Sequence, residues 1–252
     1  MTRLSEIERY KGIRFLVKFV NPEYLDTLLD GKLFMNTLGH FIEQEEKTKI
    51  RGQGDKYEGA HVFPVQNIQL IDRKTDQVFG TAKTGIYLER YEGIREIPVF
   101  CFTNFTAKDF KLIKEEENSA TFILDIDDEE KNKILENFGS KAVLLPSDFI
   151  EMLEEDSNNQ NLQFIIRSVL YDDYTVINPE RMKKFEENPI EVITWKERFF
   201  EYQREVRFAI NHPTQKPIEF KMRNIREQSV VMDAEKFLKE YYVEVKFNQQ
   251  TC

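Results

Sequence analysis

The sequence predicts an α+β protein built on a mostly antiparallel sheet, with its 252 residues read as one domain, 1–252. Three observations carry this. Short runs of β-branched and aromatic residues recur along the whole chain, several of them adjacent to one another. Helical spacing fills the gaps irregularly, without the regular strand–helix alternation of a parallel α/β fold. The chain is 40% hydrophobic with 21 Phe and 10 Tyr, enough apolar material for a sizeable core.

Residues 13–20 (IRFLVKFV) read as a strand. Asn21-Pro22 then looks like a helix start, with proline at the first helical position, and Gly31 sits where a C-terminal glycine belongs. A strand is expected at 32–36 and a helix at 40–47. Residues 50–60 (IRGQGDKYEGA) hold three of the ten glycines and read as a loop. Strands follow at 61–90, and 97–103 (IPVFCFT) reads as a strand buried on both faces. Helices are expected at 127–138 and 147–155, with Ser147 as a cap. The polar stretch 156–161 is the most linker-like. One or two strands at 162–176, a helix from Asn178-Pro179 and another helix at 193–202 come next. A strand is placed at 203–210, then strands at 216–222, 229–232 and 241–247, with a short helix at 234–240. Helical insertions therefore fall near 128–155 and 179–202.

Composition narrows the function. Lys+Arg total 36 and Asp+Glu 45, a net charge of −9, so non-specific binding to nucleic acid is not expected. No apolar run approaches the ~20 residues that span a bilayer, and the first residues lack the apolar core of a secretory signal, so no membrane association and a cytoplasmic location are expected. The two cysteines, Cys101 and Cys252, exclude a disulfide framework and a Cys-rich zinc site. Cys101 lies in an apolar run and reads as a small buried hydrophobe. His40 and Glu43 are one helical turn apart and would need a third ligand such as Glu46 or His61 to hold a metal; a surface or satisfied histidine is the simpler reading. Glu-x-Lys pairs at Glu219/Lys221 and Glu244/Lys246, with Asp233, match the pattern of a metal-dependent nuclease, yet such pairs recur where 32% of residues are charged. No metal is assigned.

The segment 202–210 (YQREVRFAI) is the most informative. On a strand, Val206, Phe208 and Ile210 share one face with Tyr202 and Arg204. Gln203, Glu205, Arg207 and Ala209 share the other. A rigidly held carboxylate at Glu205 can stabilise a developing positive charge or bind a ribose hydroxyl. Arg14 and Lys18 share a face of the first strand, and Met35-Asn36-Thr37 ends the second.

Gln-x-Glu on a late strand resembles the motif of ADP-ribosyltransferases. Taken with 19–41 (FVNPEYLDTLLDGKLFMNTLGHF), with Arg51, Asp55, Glu58 and Gly59, with the run ending CFTN and with the R-E-x-R-F strand, the chain resembles an uncharacterised bacterial and phage-borne family described as having an ADP-ribosyltransferase-like fold. The likeness spans 13–210 in outline. It implies a strongly curved, split antiparallel sheet gripping a nucleotide, NAD⁺ as substrate, and a role as a toxin or phage-conflict effector modifying an unknown macromolecular acceptor. Glu205 would stabilise the ribosyl cation and Gln203 orient the nucleophile. Arg14 would contact the pyrophosphate. Thr37 would stand in the nicotinamide pocket and Phe41 or Tyr57 stack on the ring. The loop 51–59 would close over the ligand, with Arg51 on a phosphate and Asp55 or Glu58 on a ribose. Two departures stand out: Met35-Asn36-Thr37 replaces the family's Ser-Thr-Ser triplet, and the first strand has no histidine. The alternative is a non-catalytic module that binds a nucleotide or a protein. A basic groove around Arg14, Arg51 and Arg204 would favour a phosphate ligand in either case.

Overall fold

The computed structural model describes residues 2–247. Strand β1 (Arg14–Val20) runs into α1 (Pro22–Leu29), which starts on the proline the sequence marks. After β2 (Lys32–Thr37) and α2 (Leu38–Thr48), β3 (His61–Ile71) and β4 (Val78–Glu89) form a long hairpin. Then come β5 (Pro98–Thr106), β6 (Phe110–Glu115), β7 (Ser119–Leu124), α3 (Asp128–Asn137), β8 (Lys141–Leu144) and α4 (Phe149–Asn159). They are followed by β9 (Phe164–Ser168), β10 (Leu170–Asp172), α5 (Pro179–Glu187), β11 (Trp195–Glu197) and β12 (Glu205–Ile210). Last are β13 (Ile218–Lys221), β14 (Val230–Asp233), α6 (Ala234–Glu240) and β15 (Tyr242–Lys246).

Eight strands make the main sheet, in the order β13-β2-β5-β1-β8-β14, with β12 paired to β5 and β9 to β12. All its pairings are antiparallel. The sheet branches at β5. The Asn104 N–H donates to the Arg204 carbonyl at 2.9 Å. Even-numbered residues of β5 therefore bond towards β12, and odd-numbered ones face the opposite edge. That edge is shared: β2 takes Val99 and Pro98, and β1 takes Thr103 to Thr106. Cys101 lies in the gap between them, and Lys18 Nζ donates to its carbonyl oxygen at 2.6 Å. A side chain thus supplies the hydrogen bond that neither strand reaches to make.

This corrects the expected curved sheet of ADP-ribosyltransferase type. The fold is α+β with several sheets, none closed or strongly curled. β15-β7-β6, β3-β4 and the parallel pair β10-β11 are separate small sheets. The physical reason lies in how the main sheet is covered. One face packs Phe100, Phe102, Val206 and Phe208 against Leu28 and Leu29 of α1 and Phe149 and Leu153 of α4. The other packs Val17, Phe19 and Phe105 against Phe122 of β7, Ile134 of α3 and Phe237 of α6. Apolar cover on both faces leaves no reason for the sheet to roll round a single core.

Other elements differ from expectation where tertiary contacts intervene. Residues expected to be helical at 193–202 form a 3-10 turn (Pro189–Thr194), the strand β11 and a second 3-10 turn (Arg198–Gln203). The polar stretch at 156–161 is not a linker: it ends α4, Ser157 is fully buried, and Asp156 accepts from both Nε and Nη2 of the Arg223 guanidinium. Asp148, not Ser147, holds the N-cap position of α4. Among the described residues no helix is long and apolar enough to cross a membrane.

Gly31 behaves as its position after α1 implies. Its φ is +80°, and a Cβ there would lie 2.3 Å from the Met222 carbonyl oxygen. An L-residue in left-handed backbone costs ~1–2 kcal/mol before any clash. Gly31→Ala is therefore expected to lose at least about 2 kcal/mol in urea unfolding, and an unchanged midpoint would refute the close packing of this turn on 222–223.

Candidate functional site

β12 is buried along its whole length, and its two faces differ in kind. Val206, Phe208 and Ile210 join the aromatic core. Glu205 and Arg207, two residues apart, project together from the opposite face, as strand alternation requires. Both are within 5% of full burial. Their charges are matched by Glu58 from the glycine-containing loop and Lys196 from β11, which are 1% and 4% exposed.

The four side chains bond as a closed set. Glu205 Oε2 accepts from Lys196 Nζ at 2.8 Å, and its Oε1 accepts from Arg207 Nε at 2.8 Å. Arg207 Nη1 donates to Glu58 Oε1 at 2.7 Å and also to the Ile193 carbonyl. Lys196 Nζ lies 3.6 Å from Glu58 Oε2 and donates to Gln203 Oε1 at 2.9 Å. Gln203 Nε2 in turn donates to the Gly52 carbonyl at 2.8 Å, which also accepts from the Tyr202 hydroxyl at 3.2 Å. Arg204, with φ at +44°, turns the chain between the 3-10 helix and β12. Gln203 is therefore not on the strand with Glu205, but the turn still aims both at Lys196.

Two cations and two carboxylates make the set neutral. Burial pushes the Glu205 carboxyl up, but Arg207 and Lys196 outweigh it and hold the group well below the usual carboxylate range. Burial likewise works to lower Lys196 and Arg207, and Glu205 and Glu58 overcome it and raise both. The Cys101 thiol, beside Glu205, is pushed up to about 12 by burial and by that carboxylate, so it stays protonated and unreactive.

Asp55 is the odd member. It is 1% exposed, and its Oδ1 accepts from the Tyr57 N–H at 2.8 Å. Its Oδ2 has no hydrogen-bond partner. Burial, with Glu58 next to it, raises its pKa from 3.8 to about 7. The loop 51–60 is thus packed into the protein rather than standing off its surface. Gly52, Gly54, Asp55, Glu58 and Gly59 are buried, with Glu45 of α2 accepting from the Lys56 N–H at 3.0 Å.

The structure brings together Glu205, Gln203, Asp55 and Glu58. The other expected site residues lie elsewhere. Arg51 pairs with Glu197 and stacks 4.2 Å over the Phe199 ring. Tyr57 packs edge-on against Tyr174, with ring centroids 6.0 Å apart. Phe41 packs against the cluster of Leu38 and Phe185, and Thr37 holds the N-cap position of α2 without a side-chain cap bond. Arg14 pairs with Thr106 in β1–β5 and Glu205 with Thr103 in β12–β5. An even and an odd position of β5 point to opposite faces, so Arg14 and Glu205 lie on opposite sides of the sheet. Arg204 pairs with Glu130 at 2.9 Å and with Asp109 at 3.5 Å, so no basic groove unites it with Arg14 and Arg51. Lys196 was missed because its segment reads as helical. Arg207 carried a legible signal: an opposite charge two residues from Glu205 in an otherwise apolar run.

Arg14 instead borders a cleft of about 390 Å³ at the β9 edge of the main sheet. Ile150 of α4, Ile166 of β9, Leu170 of β10 and Val206 of β12 line it together with Ser168 and Thr194. Arg14, Arg167 and Lys184 also line it, with Glu191 the carboxylate among them. Glu191 binds Arg167 through both oxygens, at 2.7 and 2.9 Å. Lys184 lies 3.1 Å from Glu180 on its own helix. Arg14 is exposed and makes no ion pair among the described residues.

No protein-family model, curated protein or solved structure matches this chain. Among the described residues no three His, Cys, Asp or Glu side chains group as a metal site. Cys252 lies outside the described residues.

Proposed function

We propose that this protein is a binding module for a phosphorylated ligand, a nucleotide by class, held in the cleft at the β9 edge. The supporting observation is Arg14, an exposed guanidinium with no ion pair among the described residues, lining a cleft that also presents four aliphatic side chains. A volume of about 390 Å³ falls within the ~300–1,000 Å³ of small-ligand sites. The aliphatic side chains suit a base or sugar face, and a planar guanidinium suits a pair of phosphate oxygens. Arg167 is matched by Glu191 and Lys184 by Glu180, which leaves the Arg14 charge as the one unmatched at the cleft among the described residues.

The test is calorimetric titration with ADP, ATP and adenosine. The phosphorylated compounds bind and adenosine binds at least tenfold more weakly. Arg14→Ala weakens ADP about tenfold or more, since a charge-assisted bond contributes ~1.5–3 kcal/mol, and leaves the unliganded melting temperature unchanged. Equal affinity for adenosine and ADP, or no binding of either at millimolar concentration, sinks the proposal.

The second reading, NAD⁺-dependent transfer through Glu205, draws on the meeting of Gln203, Glu205, Asp55 and Glu58. Against it, both Glu205 oxygens are already bonded to cations, and the residue is 5% exposed. A substrate could reach it only if the loop 51–60 opened and the ion pairs parted. Nicotinamide release from NAD⁺ by the wild type, and none by Glu205→Gln, would decide for this reading.

A further inference from the structure

The loop 51–60 packs onto the charged groups of β11 and β12, and polar contacts hold it there more than the core does. The three larger hydrophobic clusters take no residue from it. Ala60 joins only the small cluster of Val62 and Tyr174, with Tyr57 packed against them. The fastenings are hydrogen bonds and charges. The Gly52 carbonyl accepts from Gln203 and Tyr202, and Glu58 accepts from Arg207. The Asp55 N–H donates to the Phe41 carbonyl at 3.2 Å, and the Lys56 N–H donates to Glu45. A segment tied down in this way can lift without opening the core.

Charge under the loop is unbalanced at one residue. Asp55 is faced by Glu58 on its own loop, Glu45 of α2, Lys196 of β11, Arg90 after β4 and the Tyr174 phenol between β10 and α5. Glu205 and Arg207 of β12 lie against Lys196 and Glu58. The cations are committed elsewhere. Lys196 donates to Gln203 and Glu205 and lies 3.6 Å from Glu58. Arg90 donates to the backbone carbonyls of Lys56 and Glu58. Asp55 keeps one bond, from the Tyr57 N–H, and its Oδ2 has no partner. As a carboxylate it is a surplus buried charge beside a neutral set of four, and as a carboxylic acid it is not.

We infer that the loop 51–60 is a latch closed by a proton on Asp55: with the proton bound it lies over Glu205, Arg207 and Lys196, and with the proton released to solvent it lifts and exposes them. Closed, Asp55 holds its proton up to about pH 7, because of burial and of Glu58; lifted into water it releases it near 3.8. The open form therefore gains on the closed one as pH rises between those values, by up to ~tenfold per pH unit, and gains no more above them. His61, at the start of β3, acts the other way. Burial and Arg181 lower its pKa, and its protonation would loosen the end of the loop as pH falls. The consequence is that pH on the acid side of neutrality sets access to two cations, two carboxylates and the Gln203 amide. The inference does not depend on the ligand of the β9-edge cleft.

Hydrogen–deuterium exchange on the full chain at pH 5.5 and pH 8, with labelling times scaled to the intrinsic rates, reads the latch. The protection of amides 55–60 is expected to fall about tenfold or more from pH 5.5 to pH 8. At pH 8 these amides exchange well ahead of those of β5 and β12, and urea below the unfolding transition leaves their exchange unchanged, the mark of a local opening. Asp55→Asn holds the loop closed at both pH values, with the wild-type protection of pH 5.5 or better. Equal loop protection at the two pH values overturns the inference. So does loop exchange that proceeds only together with β5 and β12, which is global unfolding. A loop that loosens towards pH 5.5, as His61 would make it, or a pH dependence that survives in Asp55→Asn, overturns it as well.

Discussion

Arg207→Met is expected to destabilise the fold by about 3–5 kcal/mol, the range for breaking a buried ion pair by removing one partner. The methionine fills most of the volume, so the loss is electrostatic rather than a cavity. What remains is Glu205 and Glu58, both buried, with Lys196 as their shared cation. The Ile193 carbonyl also loses its donor. The pH dependence separates this account from simple mispacking. In the variant Glu205 keeps the burial that raises its pKa and loses the Arg207 cation that lowered it, so its folded-state pKa moves up. A carboxyl shifted that way favours folding at low pH and disfavours it as pH rises. In the wild type Glu205 is shifted the other way, and its contribution is present above the ordinary carboxylate range and lost as pH falls. Both effects act in one direction, so the gap between variant and wild type is narrow at pH 4.5 and wide at pH 8. Urea unfolding at the two pH values measures it. A loss below 1 kcal/mol, or one equal at both pH values, would mean that the four charges contribute little to holding the loop 51–60 on β12.

Asp55→Asn is expected to stabilise the protein at pH 8. The folded state holds the Asp55 proton up to about pH 7, whereas the unfolded chain releases it near 3.8. Between those values the native state binds the extra proton, so stability falls as pH rises, and the deficit is complete above pH 7. At ~1.4 kcal/mol per pH unit the cost reaches up to about 4 kcal/mol. Asparagine keeps the oxygen that accepts from the Tyr57 N–H. It also places an amide donor where Oδ2 has no partner, near Glu58. The variant should melt higher than wild type at pH 8 and level with it at pH 4. An advantage independent of pH would show that the gain comes from packing, and no advantage would show that the Asp55 carboxylate finds compensation in the native state.

The transferase expectation and the structure meet at an instructive point. Gln203, Glu205, Asp55 and Glu58 were singled out as residues around one nucleotide. They do converge, from 150 residues apart in the chain, but on each other and on two cations. Residue types that suit a ribose or a ribosyl cation also suit a buried salt-bridge network, since both use charged groups held by rigid backbone. Sequence spacing cannot separate the two, because the difference lies in whether a cation or solvent occupies the space beside the carboxylate.

The sequence alone determined the local features with short-range causes. The strand of 13–20, the proline start of α1, the turn at Gly31, the buried strand 97–103 and the shared face of Glu205 and Arg207 all follow from periodicity or from one residue's backbone limits. The class, α+β with a mostly antiparallel sheet, follows from the order of such segments. Only the tertiary structure decided the rest. It made 195–197 a strand by pairing it with 170–172, against a helical pattern. It divided one edge of β5 between β1 and β2 and thereby kept the sheet open. It set Arg14 and Glu205 on opposite faces, and it buried a glycine-rich loop that reads as surface. Each of these depends on contacts between segments far apart in the chain. Their free energy outweighs the few tenths of a kcal/mol by which local propensities differ, and no window of neighbouring residues contains it.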